Sequence, residues 1–145
     1  YKTEPGGGTT DWAVEIYFEA VRRKSYLSFI NEDTALPMMF MDDAINATIR
    51  LMETDKANLS CHSSYNLSGP SLSPRQVAND IRRHIPGFDI QYKPDFRQAI
   101  ADSWPASICD DELRSGIVWK PKFGLEQITD RMLDEIRKNI VMNLK

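Results

Sequence analysis

The stretch SPRQVANDIRRHIPGFDIQY, residues 73–92, carries the clearest local instructions in the chain. Ser73 can accept a hydrogen bond from the amide three residues on, and Gln76 can bond back to the Ser73 amide. Pro74 suits the first helical position, where an amide hydrogen would be unpaired anyway. Val77, Ala78, Ile81 and Ile85 then fall on one helical face. Pro86-Gly87 stops the helix, and Phe88 to Tyr92 reads as a strand. The unit is one helix feeding one strand.

The same alternation continues on both sides. Towards the N-terminus, Ser64-Tyr65-Asn66-Leu67 reads as a short strand ended by Ser68-Gly69-Pro70, and residues 54–62 are polar and irregular. Asp42 and Asp43 stand at a helix start, where acids suit the positive end of the helix dipole. That helix carries apolar residues on much of its circumference (Ala44, Ala47 and Leu51 on one side, Ile45, Ile49 and Met52 on another), which predicts packing between layers. Leu36 to Met41 reads as a buried extended run, Asn31 to Thr34 as a turn, and Tyr26 to Ile30 as a strand. Thr10 or Asp11 can cap a first helix that runs to about Lys24, with Val14, Tyr17, Phe18 and Val21 on its apolar face.

Towards the C-terminus, Pro94 to Asp102 reads as a short helix leading into Ser103-Trp104-Pro105. Asp110 or Asp111 is placed to cap a helical turn through Leu113. Gly124 precedes a terminal helix with Leu125, Ile128, Met132, Leu133, Ile136 and Ile140 as its apolar residues, and Trp119 is expected to pack between that helix and the rest. Alternating strands and helices give an α/β or α+β class, although the strands are few and widely spaced for a complete central sheet.

The 145 residues are enough for one ordinary domain. With 27% charged and 41% hydrophobic residues, a net charge of −3 and a pI near 5.4, no basic block marks a nucleic-acid partner. No apolar run approaches the ~20 residues of a membrane span. Cys61 and Cys109 are too few for a disulfide scaffold, so a reduced intracellular compartment is expected. The chain opens Tyr1-Lys2-Thr3-Glu4, without Met or signal segment, and reads as one that has been cut or begins upstream.

Several signatures of chemistry are missing. The sequence has neither a G-x-G-x-x-G dinucleotide fingerprint nor a P-loop. His62 and His84 lack metal-ligand spacing with the cysteines, so no metal is expected. Two segments stay open. The amides of Gly6-Gly7-Gly8, followed by Thr9 and Thr10, could hold a carboxylate or phosphate at a helix start, or could simply form a flexible loop before an N-cap. Trp104, held extended before Pro105, could close over a ligand, whereas burial statistics favour a core position.

Four segments together resemble a known family: PGGGTTDWAVEIYFEAV (5–21), LPMMFMDDAINATIRLME (36–53), YNLSGPSLSPRQVANDIRRHIPGFDIQY (65–92) and RQAIADSWP (97–105). The family is the short-chain-dehydrogenase-type L-threonine 3-dehydrogenases, extended short-chain dehydrogenases/reductases related to the NAD-dependent sugar epimerases. The resemblance implies the C-terminal, substrate-binding portion only, with one or two strands and a helix that join a Rossmann sheet. The NAD-binding half, with its glycine loop, catalytic Ser/Thr and Tyr-x-x-x-Lys pair, is not in this sequence. It implies residues 1–34 as substrate loop, helix and strand, 35–68 as a segment returning to the Rossmann side, and 69–145 as substrate-domain helices.

By the same resemblance, Gly8 and Thr10 meet the threonine carboxylate or amine, Thr9 stands beside them, and Trp104 closes the pocket, with the glycine run as a hinge. NAD is the cofactor, L-threonine the substrate, 2-amino-3-ketobutyrate the product, and a homodimer the full-length assembly. No catalytic residue lies in this chain. The sequence departs from the family at Trp12, where a tyrosine is common, and at Leu113 to Trp119, where a Trp-Gly-Trp-like stretch is usual.

Two other readings compete. A nucleotide-sugar epimerase or dehydratase portion would need an arginine pair for the diphosphate, for which Arg97 and Arg114 are the candidates. A non-catalytic interaction module would fold as a self-contained monomer. The dehydrogenase reading predicts instead exposed apolar surface from Met38–Met41 and the second helix.

Overall fold

The computed structural model describes residues 5–61 and 63–143. His62 and the opening Tyr1 to Glu4 lie outside the described residues. The elements follow in the order α1 (Trp12–Arg23), β1 (Ser25–Ser28), β2 (Leu36–Pro37), α2 (Met41–Glu53), a 3-10 turn (Lys56–Asn58), β3 (Ser71–Leu72), α3 (Pro74–His84), β4 (Asp89–Tyr92), α4 (Phe96–Asp102), α5 (Asp111–Gly116) and α6 (Leu125–Asn143).

The helix-to-strand unit forms as its sequence dictates. Ser73 and Gln76 make both halves of the capping box, Pro74 opens α3, and Val77, Ala78, Ile81 and Ile85 are buried. The strand after it, β4, runs parallel to β1 with Ser25 opposite Asp89 and Ser28 opposite Tyr92. A parallel pair needs a crossover rather than a hairpin, and everything from β2 to α3 supplies it. β2 and β3 make a separate two-stranded antiparallel ladder, Leu36 opposite Leu72. Two ribbons of two strands are no complete central sheet.

The main core gathers α1, α3 and α6 against the inner face of the β1–β4 ribbon. On α1 the fully buried stripe is Trp12, Ile16 and Ala20, flanked by Tyr17 and Phe18. Val14 and Val21, expected on the apolar face, are only partly buried at its margin. The stripe is therefore rotated from the expected one, because the helix packs on both the ribbon and α6. Tyr17 on α1 reaches Thr129 on α6 by a buried 3.1 Å hydrogen bond.

A second, smaller cluster joins Ala47 of α2 to Leu113, Ile117 and Trp119, with Met39, Leu51, Leu59, Tyr65 and Leu67 around it. Three expectations change here. Trp119 packs against α2 and not against the terminal helix. Ser64–Leu67 is irregular, and its Tyr65 and Leu67 side chains pack against this cluster. The α2 helix is not enclosed between layers. Only Asp43 and Ala47 are buried, while Met41 (64% exposed), Ile45 (52%), Ile49 (46%) and Met52 (81%) form a stripe facing outward. The extended run likewise ends at Phe40, and Met41 already belongs to the helix.

Glycine is required at position 69. A Cβ there would overlap the Met38 carbonyl oxygen, where the chain passes close to β2 and Met38 N–H donates to the Pro70 carbonyl at 2.9 Å.

Candidate functional site

The glycine loop before α1 is organised by Asp11. Its side chain makes no cap bond to its own helix. The carboxylate turns back, and Oδ2 accepts the Gly6 and Gly8 amides at 2.8 and 2.9 Å. Gly7 sits at φ +95°, a conformation open to glycine and strained for other residues, so the loop curls around a single carboxylate. The amides read from sequence as candidate anion donors are thus engaged from within at Gly6 and Gly8. Gly8 and Thr10 are exposed and Thr9 half-buried. Thr10 and Asp11 line a mostly apolar cavity of about 240 Å³ together with Tyr17, Met39, Phe40 and Met132.

The RQAIADSWP segment has a division of labour the sequence alone hides. Asp95 caps α4 by accepting the Arg97 amide at 2.9 Å. Arg97 then lies with its guanidinium 3.3 Å over the Phe29 ring, bonds to Asp95 through Nε and Nη2, and donates from Nη1 to the Gly7 carbonyl at 3.4 Å. The Arg97 hydrogen bonds hold the Asp95 carboxyl below its ordinary pKa. Gln98 points the other way, accepting the Asn31 amide at 2.6 Å and donating to Thr34. So α4 is pinned at its start to both the glycine loop and the turn after β1.

Trp104 follows the end of α4 and is 42% exposed. It is therefore not the core residue that burial statistics favoured. The structure brings Gly8, Thr9 and Thr10 together by adjacency and links their loop to the start of α4. Among the described residues no hydrogen bond joins Trp104 to that loop, and the link runs through α4, roughly 10 Å of helix.

The remaining polar groups are committed elsewhere. Arg114 bonds Asp110 at 2.7 Å and the Ser68 carbonyl at 3.4 Å, and stands over Trp119. Asp110 heads α5 without a cap bond to it and also accepts the Ser68 amide. Burial pushes its pKa up, but the hydrogen bonds from Arg114 and Ser68 outweigh that and leave it below the carboxylate norm. Asp43, in the first turn of α2, accepts the amides of Lys122 and Phe123 at 2.9–3.0 Å. Both acidic pairs thus stand at helix starts as expected, but the Asp43 and Asp110 carboxylates tie distant loop amides instead of making cap bonds. His84 Nε2 lies 3.4 Å from Asp130, as suits a helix end. Among the described residues, no group of three His, Cys, Asp or Glu could hold a metal, and no helix is long and apolar enough to cross a membrane.

Comparison with known proteins places this arrangement. No family model matches the chain. It is 51% identical over 136 residues to an uncharacterized epimerase/dehydratase of Staphylococcus haemolyticus and 49% identical over 142 residues to one of Staphylococcus aureus. It covers 93% and 97% of itself in these matches but only 43% and 44% of them. Among solved structures it superposes on a GalE-like L-threonine dehydrogenase from Cupriavidus necator, with a TM-score of 0.89 and 51% identity, over 93% of this chain and 49% of that one. The chain has the fold of the C-terminal portion of the GalE-like L-threonine dehydrogenases. An L-threonine dehydrogenase from Phytophthora infestans matches with a TM-score of 0.91 and 40% identity, over 95% of this chain and 45% of its own. A monomeric L-threonine 3-dehydrogenase from a metagenome matches with a TM-score of 0.90 and 48% identity over 95% and 44%. The chain therefore spans less than half the length of the relatives it matches.

The glycine loop engages its Gly6 and Gly8 amides with Asp11, leaving no dinucleotide cradle there. Asp11 and Arg97 are the two organising residues that sequence reasoning missed at this site. From sequence Asp11 reads as a cap, and Arg97 only as a candidate for a diphosphate-binding arginine pair. A signal for Asp11 did exist: a carboxylate three residues after Gly8 has the spacing to meet its amide.

Proposed function

We propose that this chain is the substrate-side portion of an NAD-dependent L-threonine 3-dehydrogenase, which oxidises the β-hydroxyl of L-threonine to give 2-amino-3-ketobutyrate. The observation that carries this reading is the likeness, at 40–51% identity and TM-scores of 0.89–0.91, to structures of L-threonine dehydrogenases. In this reading Gly8, Thr9 and Thr10 contact the amino-acid end of the substrate and Trp104 covers it. The chain's contribution is orientation and exclusion of water, which matter because a misplacement of ~1 Å can cost about 100-fold in rate. NAD is held by a preceding NAD-binding half.

The division into 1–34, 35–68 and 69–145 follows from the same reading. The outward stripe of Met41, Ile45, Ile49 and Met52 becomes the face on which the NAD-binding half packs, which a self-contained interaction module would have no reason to expose. A homodimer is the expected full-length state, against which one neighbour named monomeric stands as the alternative. The compartment is cytoplasmic, or mitochondrial in a eukaryote, and the pathway is threonine catabolism.

A second reading has one observation in its favour: the Staphylococcus relatives carry the name epimerase/dehydratase. Its diphosphate clamp would need the two free arginines, but Arg97 and Arg114 are both committed to internal carboxylates. The deciding experiment is NADH formation by the full-length enzyme with L-threonine, set beside turnover of nucleotide sugars. Activity with a nucleotide sugar and none with threonine would sink the dehydrogenase reading.

A further inference from the structure

We propose that Arg97 is a positioning residue that joins the glycine loop to the Trp104 helix, so that the two segments act as one rigid unit over the substrate. This rests on the preceding assignment of Gly8–Thr10 and Trp104 to the substrate. Three observations carry it. Arg97 reaches from α4 to the loop, through Nη1–H donated to the Gly7 carbonyl at 3.4 Å. Its guanidinium has no freedom to wander: Phe29 lies against one face at 3.3 Å, and Asp95 takes Nε and Nη2 along one edge. The loop is held from its opposite side by the Asp11 carboxylate on Gly6 and Gly8.

The positive φ at Gly7 gives these two grips their geometry. It turns the Gly7 carbonyl towards Arg97 while the flanking amides turn towards Asp11. The loop is thus clamped from both sides instead of hanging as a free hinge. Because Arg97 is also the second residue of α4, a displacement of the loop is transmitted along a helix of seven residues to its far end, where Trp104 stands. A lysine would supply the charge but neither the fork on Asp95 nor the planar stack on Phe29.

The test uses the full-length enzyme with Arg97→Lys and Arg97→Ala, read by amide exchange at residues 6–10 without ligands and by steady-state kinetics. Loss of a charge-assisted contact predicts exchange at Gly6 and Gly8 faster by about tenfold, and a KM for L-threonine higher by about tenfold in Arg97→Lys, with the KM for NAD within about twofold of wild type. Added guanidinium ion should restore part of the threonine KM in Arg97→Ala. Unchanged loop exchange in both variants overturns the proposal, as does an equal rise in both KM values without rescue. If the wild-type enzyme does not oxidise threonine, the assigned function fails, while the exchange measurement still decides whether Arg97 clamps the loop.

Discussion

Asp43 offers the most direct test of how the substrate-side fold is held together. Its carboxylate is 3% exposed and receives the Lys122 amide on both oxygens, at 3.0 Å each, and the Phe123 amide at 2.9 Å. Asp43→Ala would leave two amide donors without their acceptor at the entry to α6. Hydrogen bonds to a charged group contribute about 1.5–3 kcal/mol each, so the loss should reach about 3–6 kcal/mol. Phe123, stacked on Phe40 with centroids 4.4 Å apart, would lose its anchor as well, but that contribution overlaps the first and is not added to it. For a chain of this size the change corresponds to a drop in Tm of roughly 10 °C. Asp43→Asn keeps one acceptor oxygen and loses the charge, and should cost about 1–2 kcal/mol. Urea and thermal unfolding followed by far-ultraviolet circular dichroism give both values. If Asp43→Ala falls within about 0.5 kcal/mol of wild type, the carboxylate is not the joint between α2 and α6, and the reasoning fails.

Four further outcomes follow from the same structure. Gly69→Ala should cost ~3 kcal/mol or more, because the new methyl meets the Met38 carbonyl and backbone must shift to admit it; an unfolding midpoint equal to wild type would refute the close approach. Burial raises the pKa of Tyr17 and Tyr26, so the stability tied to their neutral forms is present below the unfolded value near pH ~10 and is lost as pH rises past it. Phenolate absorbance should therefore appear for these two only together with loss of circular dichroism. Asp110, with its folded pKa depressed, contributes stability that is present above about pH 4 and lost as pH falls below it; Asp110→Asn should flatten the acid limb of the stability curve, and an unchanged limb would remove Asp110 from the account. Ile45→Glu with Ile49→Glu should change the stability of the isolated chain by less than about 1 kcal/mol, since both are exposed, yet should reduce its self-association in light scattering and lower the Tm of the full-length enzyme.

What was legible in the sequence was local. The Ser73–Gln76 capping box, the Pro86-Gly87 stop and the apolar spacing of α3 and α6 need only neighbours along the chain, and all of them form. The aspartates misled for one shared reason. Asp11, Asp43 and Asp110 each stand at a helix start, where a cap or the helix dipole is the economical account of an acid, and each turns its carboxylate to loop amides. Asp11 serves Gly6 and Gly8 of its own preceding loop, whereas Asp43 and Asp110 reach amides distant in sequence. A cap and a loop tie use the same acceptor, and the choice between them depends on which amides the fold brings near. For α2 the apolar pattern alone points to packing between layers, whereas this chain covers only the side with Ala47 and leaves the other side exposed, as the dehydrogenase reading predicts for this helix. Trp104 and Arg97 were visible as residues but ambiguous as roles, since exposure and partner choice are tertiary properties.

The first and last helices also set an order of events. Tyr17 of α1 bonds Thr129 of α6, and β1 finds its parallel partner only in β4, beyond the whole crossover. Neither contact can form until most of the chain has left the ribosome. Long separations of this kind slow folding, because loop closure precedes any gain from contact. During synthesis, α1 and the glycine loop must therefore wait in an unfinished state, with Trp12 and Ile16 not yet covered. Until α6 docks, the face of α1 that meets it stays uncovered, and that surface is open to chaperones and proteases.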